Sequence, residues 1–231
     1  MKRIKLLLAG LAAATTMGLA PAQAAVMGTI PGGGTNDFIN TFLGGGEIEG
    51  WYGANLYLSG GAFVAVEYFG AEAGFVNTFT YDGNTFTHNG GTTFTNNGPA
   101  TLGSEDAIGF ANIGMQPAGL LDFLFTVNSG NPGPVNGANP NDLTTSLANF
   151  FVTFDNNYAL DTTVNGSTPS FGQSVFVFLD DGGADNDDNH DDMVLRISIR
   201  DGTISIPEPA SLAMLGLGLI ALGALRRRRQ D

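Results

Sequence analysis

Short runs of aromatic and β-branched residues recur along most of this chain, and Gly, Asn, Asp or Pro separates each run from the next. Aromatic and β-branched side chains favour strands, whereas the separating residues favour tight turns. No stretch between residues 25 and 206 has the apolar spacing of a helix. The pattern therefore predicts an all-β, antiparallel domain with a β-sandwich or jelly-roll-like architecture. The predicted strands are residues 52–58, 62–69, 75–81, 84–88, 92–95, 121–127, 149–154, 174–179, 193–200 and 203–206.

The segment 78–87 gives the most specific local prediction. Threonine alternates with aromatic residues on both sides of Asp82-Gly83. Asp-Gly favours a two-residue type I′ turn, because both turn positions need a positive φ. With that turn, Phe79 lies opposite Phe86, and the threonines face the other side of the sheet.

Two neighbouring segments also have predicted conformations. Residues 92–95 repeat the threonine and aromatic alternation after Asn-Gly-Gly at 89–91, which predicts a third strand in a meander. The stretch 128–141 contains several Pro, Gly and Asn residues and is predicted to be a long loop.

The first 24 residues have the three parts of a secretory signal peptide. Three basic residues precede an apolar run, and small residues follow it at the positions that cleavage requires. The mature chain is therefore predicted to start outside the cytoplasm. The residues that define the cleavage site are Ala22, Ala24 and Ala25.

The last 25 residues, 207–231, combine a Pro-Glu-Pro motif, sixteen uncharged residues and four arginines. Sixteen helical residues reach only about 24 Å, but flanking arginines can extend to the interface, so a short transmembrane helix is predicted. The arginines place the C-terminus in the cytoplasm by the positive-inside rule. The residues of the motif and the cluster are Pro207, Glu208, Pro209, Arg226, Arg227, Arg228 and Arg229.

This C-terminal arrangement resembles the PEP-CTERM sorting signal of Gram-negative bacteria, since motif, apolar helix and basic end occur in that order. The resemblance implies passage through the inner membrane and recognition by an exosortase, an integral-membrane enzyme thought to cleave the tail. It also implies a final location in the cell envelope, at the cell surface or in the extracellular matrix, and a link to exopolysaccharide and biofilm formation. Whether the tail is cleaved or remains as an anchor stays open.

Two blocks of the central region resemble segments of PEP-CTERM ectodomains. One is the Glu-Ala-Gly-aromatic-x-Asn pattern within residues 68–79, and the other is the aspartate-rich stretch 180–194. This second resemblance implies an extracellular β domain and no particular activity.

The region between the two end segments, residues 25–206, is far more acidic than the whole chain. The formal net charge of the full chain is −13, but seven of its nine basic residues lie in the end segments. The central 182 residues contain 20 acidic residues, no lysine and only Arg196 and Arg200, a net charge of −18. Such a surface repels phosphate backbones, which excludes a nucleic-acid partner. The absence of cysteine excludes disulfides, thiol nucleophiles and thiolate metal sites.

Thirteen residues between two predicted strands, 180–192, hold seven aspartates and form the candidate metal site. Two charges 5 Å apart repel by about 3 kcal/mol at an effective dielectric constant of 20, so the loop favours a hard cation. Calcium binds six to eight oxygen ligands, and Asp-x-Asp-x-Asn supplies side chains at every second position. The predicted calcium ligands are Asp180, Asp181, Asp185, Asp187, Asn189, Asp191 and Asp192.

The calcium prediction has an alternative, an acidic loop that is simply solvated and screened by salt. The loop does not match an EF-hand, because His190 stands where the turn glycine is required and Arg196 where the final glutamate is required. Zinc is disfavoured because residues 25–206 contain two histidines and no thiol.

Enzyme motifs are absent from the sequence. No Gly-x-Ser-x-Gly occurs, no phosphate-binding loop occurs, and no pair of acids can be nominated for glycoside hydrolysis. We therefore predict a non-catalytic protein. Two alternatives stay open: a carbohydrate-binding or carbohydrate-active protein, and a structural matrix protein without a ligand. The first would stack sugars on exposed aromatic rings, for which the candidates are Trp51, Tyr52, Tyr57 and Tyr68.

Overall fold

The structure is a computed structural model that describes residues 25–31, 47–93, 106–140, 147–155, 165–182 and 190–207. Every strand pairing within these ranges is antiparallel, so the predicted antiparallel all-β fold is confirmed. The strands are β1 (Val26–Pro31), β2 (Glu47–Tyr52), β3 (Tyr57–Leu58), β4 (Ala62–Gly70), β5 (Glu72–Tyr81), β6 (Asn84–Thr92), β7 (Gly109–Gln116), β8 (Gly119–Leu120), β9 (Phe123–Val127), β10 (Asn131–Val135), β11 (Asn149–Asp155), β12 (Phe171–Gly172), β13 (Ser174–Asp180), β14 (Met193–Arg200) and β15 (Ile204–Ser205).

These strands form three sheets. The large sheet has the order β1-β2-β11-β13-β14-β4-β7, the front sheet has the order β10-β9-β5-β6, and the small sheet has the order β12-β15-β3-β8. Strands β13 and β14 lie in the middle of the large sheet, and every residue of β13 is buried. The nearly continuous apolar sequence of β13 follows from this position, because a strand covered on both faces has no side exposed to water.

The large sheet and the front sheet face each other across an apolar core. The Phe150 ring of β11 lies 5.4 Å from Phe123 and 5.9 Å from Phe125, centroid to centroid, and both partners belong to β9. Phe79 of β5 packs against the same two rings at 5.4 and 5.2 Å. Each buried phenylalanine contributes about 1.5–3 kcal/mol by the removal of its ring from water.

The opposite face of the large sheet carries a second apolar cluster. Because successive side chains of a strand point to opposite faces, Val175 and Val177 enter the core while Phe176 and Phe178 enter the second cluster. The buried members of this cluster are Ile30, Ile48, Tyr52, Phe69, Phe151, Phe176, Phe178 and Val194.

The hairpin predicted at 78–87 is confirmed, with Phe79 opposite Phe86 as expected. Asp82 and Gly83 have φ values of 47° and 75°, which are the two positive values that a type I′ turn requires. The local turn chemistry was sufficient to fix the register of β5 against β6.

The meander predicted to turn at 89–91 into a third strand, 92–95, is wrong at its described residues, while Phe94 and Thr95 lie outside them. Gly90 and Gly91 lie inside β6, where their positive φ values accompany a register shift against β5 instead of a turn. Thr92 is the last residue of β6 and pairs with Glu72. The other neighbour of β5 is β9, which comes from a distant part of the chain.

Two further predictions about segments are corrected. The predicted strand 52–58 is divided between β2 and β3, with a turn at Gly53 whose φ is 64°. The predicted loop 128–141 contains β10, whose two prolines are tolerated because β10 is the edge of the front sheet. Asn136 ends this hairpin by accepting from Leu56 N at 2.7 Å and donating to Leu56 O at 2.8 Å.

The predicted signal peptide, 1–24, and the predicted transmembrane segment, 210–225, lie outside the described residues. Within the ranges that the structure does describe, no helix is long and apolar enough to cross a membrane.

Candidate functional site

The aspartates that flank the loop 183–189 are brought together by the pairing of β13 with β14. Strand β13 ends at Asp180, and the last paired residues of the two strands are Leu179 and Met193. The residues on either side of the loop therefore start from neighbouring positions. We call Asp180, Asp181, Asp191 and Asp192 the aspartate cluster.

Backbone N–H groups hydrogen-bond to carboxylates within and between the two halves of the aspartate cluster. The backbone N–H of Asp181 donates to Asp192 Oδ2 at 2.8 Å, and the backbone N–H of Gly182 donates to Asp180 Oδ1 at 2.9 Å. The backbone N–H of Asp192 donates to Leu179 O at 3.1 Å, which continues the β13 and β14 ladder by one step. Asp180 and Asp191 are both 1 % exposed.

Asn77 of β5 contacts this cluster from the facing sheet and was not predicted to belong to the site. Its amide Nδ2 donates to Asp181 Oδ2 and, at 3.5 Å, to the backbone oxygen of Asp192. Its Oδ1 accepts from the backbone N–H of Asn128 at 3.3 Å. Asn77 is completely buried, and its hydrogen bonds fix its orientation relative to Asp181 and Asp192. The only signal for it in the sequence was the Glu-Ala-Gly-aromatic-x-Asn pattern.

His190 packs inside the fold. Its Nε2 lies 2.8 Å from Asn149 Oδ1, and its ring makes edge contacts with Tyr52 and Phe151 at centroid distances of 5.4 and 6.0 Å. The residue is fully buried and has a φ of 56°. These contacts place its side chain against the second apolar cluster, where it positions the chain leading into Asp191.

The electrostatics of the aspartate cluster are unfavourable for a carboxylate. Burial, followed by the charge of Asp181, raises the pKa of Asp192 to about 9. The charges of Asp180 and Asp191 act in the same direction, and only the backbone N–H of Asp181 opposes them. Burial and the neighbouring carboxylates therefore favour the protonated form of Asp192.

The two arginines of the central region lie on β14, away from these aspartates. Arg196 Nε donates to Glu67 Oε2 at 2.7 Å, and both residues are buried. The guanidinium also lies 5.5 Å from the Phe69 ring centroid and 5.4 Å from that of Phe176. Four residues of extended chain, about 13 Å, separate Arg196 from Asp192.

A second buried carboxylate, that of Glu49, is stabilised by backbone groups. Its Oε2 accepts from the N–H groups of Asn165 and Gly166 at 2.8 Å each, and its Oε1 accepts from Thr168 N at 3.2 Å. The hydrogen bond from Gly166, the largest of these effects, lowers the pKa of Glu49 despite its burial. Glu49 thereby attaches the segment 165–168 to β2.

The described part of the chain contains no group of three His, Cys, Asp or Glu side chains arranged to hold a metal ion. Of the predicted ligands, the structure brings Asp181 and Asp192 into direct contact and places Asp180 and Asp191 next to them in the chain, while Asp185, Asp187 and Asn189 lie outside the described residues. A full set of calcium ligands therefore needs oxygen atoms from 183–189 in addition to the cluster.

The aromatic residues considered for sugar stacking do not form an exposed platform. Tyr52 and Tyr68 are buried, whereas Trp51 and Tyr57 are half-buried. Trp51 Nε1 donates to Pro169 O at 3.0 Å, so its polar edge is used within the fold.

Comparison with known proteins identifies one segment. The model of the PEP-CTERM protein-sorting motif matches residues 205–229. This chain carries a PEP-CTERM sorting motif. No curated protein and no solved structure matches the chain at a significant level.

The PEP-CTERM motif indicates an exported protein that an exosortase sorts to the cell envelope or beyond it. The motif begins inside the last described segment, where β15 ends at Ser205 and Pro207 is the final described residue. The other sorting residues, Glu208, Pro209 and the four arginines 226–229, lie outside the described residues, as do Ala22 and Ala24 of the cleavage site.

Proposed function

We propose that this PEP-CTERM protein is a non-catalytic component of the cell surface or extracellular matrix whose acidic domain is stabilised by calcium. The contact between Asp181 and Asp192 within the aspartate cluster carries the proposal. We further infer that the large and front sheets form a β-sandwich, because phenylalanines of β9 and β11 meet between them.

The argument for calcium rests on the crowding of carboxylates. Asp181 and Asp192 are joined by a single backbone hydrogen bond, and two more aspartates lie next to them in sequence. Ionising such neighbours together costs about 3 kcal/mol for each pair at 5 Å and an effective dielectric constant of 20. A divalent cation converts this repulsion into attraction, and the oxygen-rich loop 183–189 can complete its coordination.

Asn77 is placed to orient one of the proposed calcium ligands. Because its amide is engaged by Asp181 and Asn128, it holds the Asp181 carboxylate in one orientation. An organised carboxylate loses less conformational freedom on binding a cation than a mobile one. Asn77 is thus a positioning residue, and Asp181, Asp192 and the loop aspartates are the ligands.

The non-catalytic part of the proposal is supported by the contacts of His190. Its Nε2 faces Asn149, and its ring is enclosed by Tyr52 and Phe151, so it is not available as a general base near the aspartates.

Thermal unfolding of the full-length protein in mild detergent tests the calcium proposal. We expect millimolar calcium to raise the melting temperature relative to a chelator, because an ion that binds only the folded state stabilises it by mass action. Asp181→Asn and Asp192→Asn should reduce this shift. Asp201→Asn is the matched control, since Asp201 is exposed on the turn after β14 and its positive φ of 71° is accessible to asparagine. An unchanged melting temperature in calcium contradicts the proposal.

The link to exopolysaccharide that the resemblance implies requires the protein to reach the cell surface or the matrix. The sorting motif is therefore tested by the final location of the protein. Replacing Pro207, Glu208 and Pro209 with alanine should retain the protein in the membrane fraction, whereas the unaltered protein should be recovered from the surface or matrix. If the variant is recovered from the matrix in unchanged amount, the protein does not need the sorting motif to reach the matrix.

A further inference from the structure

Arg200 is the second of only two basic residues in the region 25–206, and its surroundings differ from those of Arg196. It is exposed at the end of β14, and its guanidinium lies 4.6 Å from the centroid of the Phe63 ring. No carboxylate within the described ranges forms an ion pair with it. In a region with a net charge of −18, the exposed arginine lies against an aromatic ring, and its guanidinium makes no ion pair with a carboxylate in the part of the chain that the structure describes.

The strand register places this arginine beside a groove on the outer face of the large sheet. Ala65 of β4 forms the floor, with Ser198 of β14 on one side and Asn112 of β7 on the other. Two residues from Ala65 along β4, Phe63 pairs with Arg200. Two residues from Ala65 in the opposite direction, the paired residue on β7 is Phe110. The resulting groove has a volume of about 300 Å³.

The small side chain of Ala65 creates the space. The rows that contain Phe63 and Phe110 are four residues apart along β4, which corresponds to about 13 Å. Phe110 is 66 % exposed, so the face of its ring is open to a ligand. Asn112 lines the groove, and its Oδ1 accepts from Gly114 N at 3.1 Å.

We propose that this groove binds an acidic saccharide, a pyranose that carries a carboxylate. The Arg200 guanidinium forms paired, charge-assisted hydrogen bonds with the carboxylate. The C–H face of the sugar ring packs on Phe110, and Asn112 and Ser198 bond to its hydroxyl groups. A neutral sugar leaves the guanidinium unused, and an acidic peptide leaves the aromatic face and the amide unused, so the acidic sugar matches the whole lining.

This proposal is independent of the calcium site. Eight residues of extended chain, about 26 Å, separate Asp192 from Arg200 at the two ends of β14. Binding of the saccharide in the presence of a chelator therefore tests the groove alone, and calcium-dependent melting without saccharide tests the aspartate cluster alone.

Calorimetric titration of the full-length protein in detergent with trigalacturonate, in a chelator, is the direct experiment. We expect binding that falls about tenfold or more in Arg200→Gln, because a charge-assisted hydrogen bond is lost. Phe110→Ala should also weaken binding, and Ala65→Phe should block it by filling the floor. Phe171→Ala is the matched control, because Phe171 is 61 % exposed on β12, away from the groove, and its loss should leave affinity unchanged.

Three results would overturn the proposal. A neutral trisaccharide of the same length could bind as tightly as trigalacturonate, or Arg200→Gln could bind it as well as the unaltered protein does. In the third, a short glutamate peptide displaces trigalacturonate at lower concentration, and the groove is then a site for acidic peptides. The melting temperatures of the exposed-site variants, expected to stay within a few degrees of the unaltered protein, show that each variant is folded.

Discussion

Glu67 of β4 and Asp192, which directly precedes β14, differ in the surroundings of their carboxylates. Glu67 is buried in the large sheet and accepts a hydrogen bond from Arg196. Asp192, at the end of β14, is surrounded by other aspartates, and its pKa is raised to about 9. With only two arginines in the region, Arg196 is buried beside Glu67, and neither arginine is close to Asp192.

Glu49 adds a third arrangement that uses no cation. Its carboxylate is surrounded by backbone N–H groups of the segment 165–168, and its pKa is lowered. Glu49 and Asp192 show that burial alone does not determine how a carboxylate titrates, because the partners decide which form is favoured.

Removing the Arg196 partner should have the largest effect on stability. Arg196→Met leaves the buried Glu67 without its cation, and we expect the free energy of unfolding to fall by about 3–5 kcal/mol in urea titrations. The double variant Arg196→Met with Glu67→Leu removes both charges and should recover most of this loss. If the single variant is as stable as the unaltered protein, the ion pair does not hold the centre of the sheet together.

Replacing Asp192 with asparagine should raise the free energy of unfolding, by less than Arg196→Met lowers it. A group whose folded pKa is raised stabilises most below its unfolded pKa, and that contribution is lost as the pH rises toward the folded value. In a chelator, the unaltered protein should therefore lose stability between about pH 4 and pH 9. Asp192→Asn should flatten this dependence and be about 1–3 kcal/mol more stable at pH 8, since the amide carries no charge to desolvate.

Unfolding at a series of pH values measures this difference, with Asp201→Asn as the variant that should retain the slope. An Asp192→Asn protein that is less stable than the unaltered one at pH 8 in a chelator would contradict the picture of a crowded carboxylate.

Glu49→Gln should give the smallest change and the reverse pH dependence. Because the folded pKa of Glu49 is lowered, its contribution is present above its ordinary value of 4.5 and is lost as the pH falls through the folded pKa. The stability difference between the unaltered protein and Glu49→Gln should therefore be constant near neutrality and shrink below about pH 4.5. Acid titration of unfolding measures it, and a difference that grows on acidification would show that backbone donors do not stabilise this carboxylate.

Local sequence was sufficient where the structure depends on neighbours in the chain. Asp82-Gly83 determined the hairpin of β5 and β6, and the apolar run 174–179 predicted β13, so the aspartates on either side of the loop could be expected to meet. Asn77 could not be placed, because its contact with Asp181 depends on how the front sheet packs on the large one.

Strands β7 and β10 were missed for a related reason. Glycines interrupt the alternation of β7, and prolines interrupt β10, so both segments lack the pattern of a strand. Each lies at the edge of its sheet, where only one neighbour is needed and interruptions of the ladder are tolerated. The groove beside β7 could consequently not be predicted from the sequence. The sequence did identify Arg200 as one of only two basic residues in the region 25–206.

The strand order of the large sheet has a consequence for the timing of folding during export. Strands β11, β13 and β14 come late in the chain yet lie between β2 and β4, which come early. A chain that emerges N-terminus first cannot complete the sheet between β2 and β4 until these late strands have emerged as well. Strand β14 ends at Arg200, five residues before the sorting motif begins at residue 205. The largest sheet therefore needs almost the whole chain up to the sorting motif before all its strands are present.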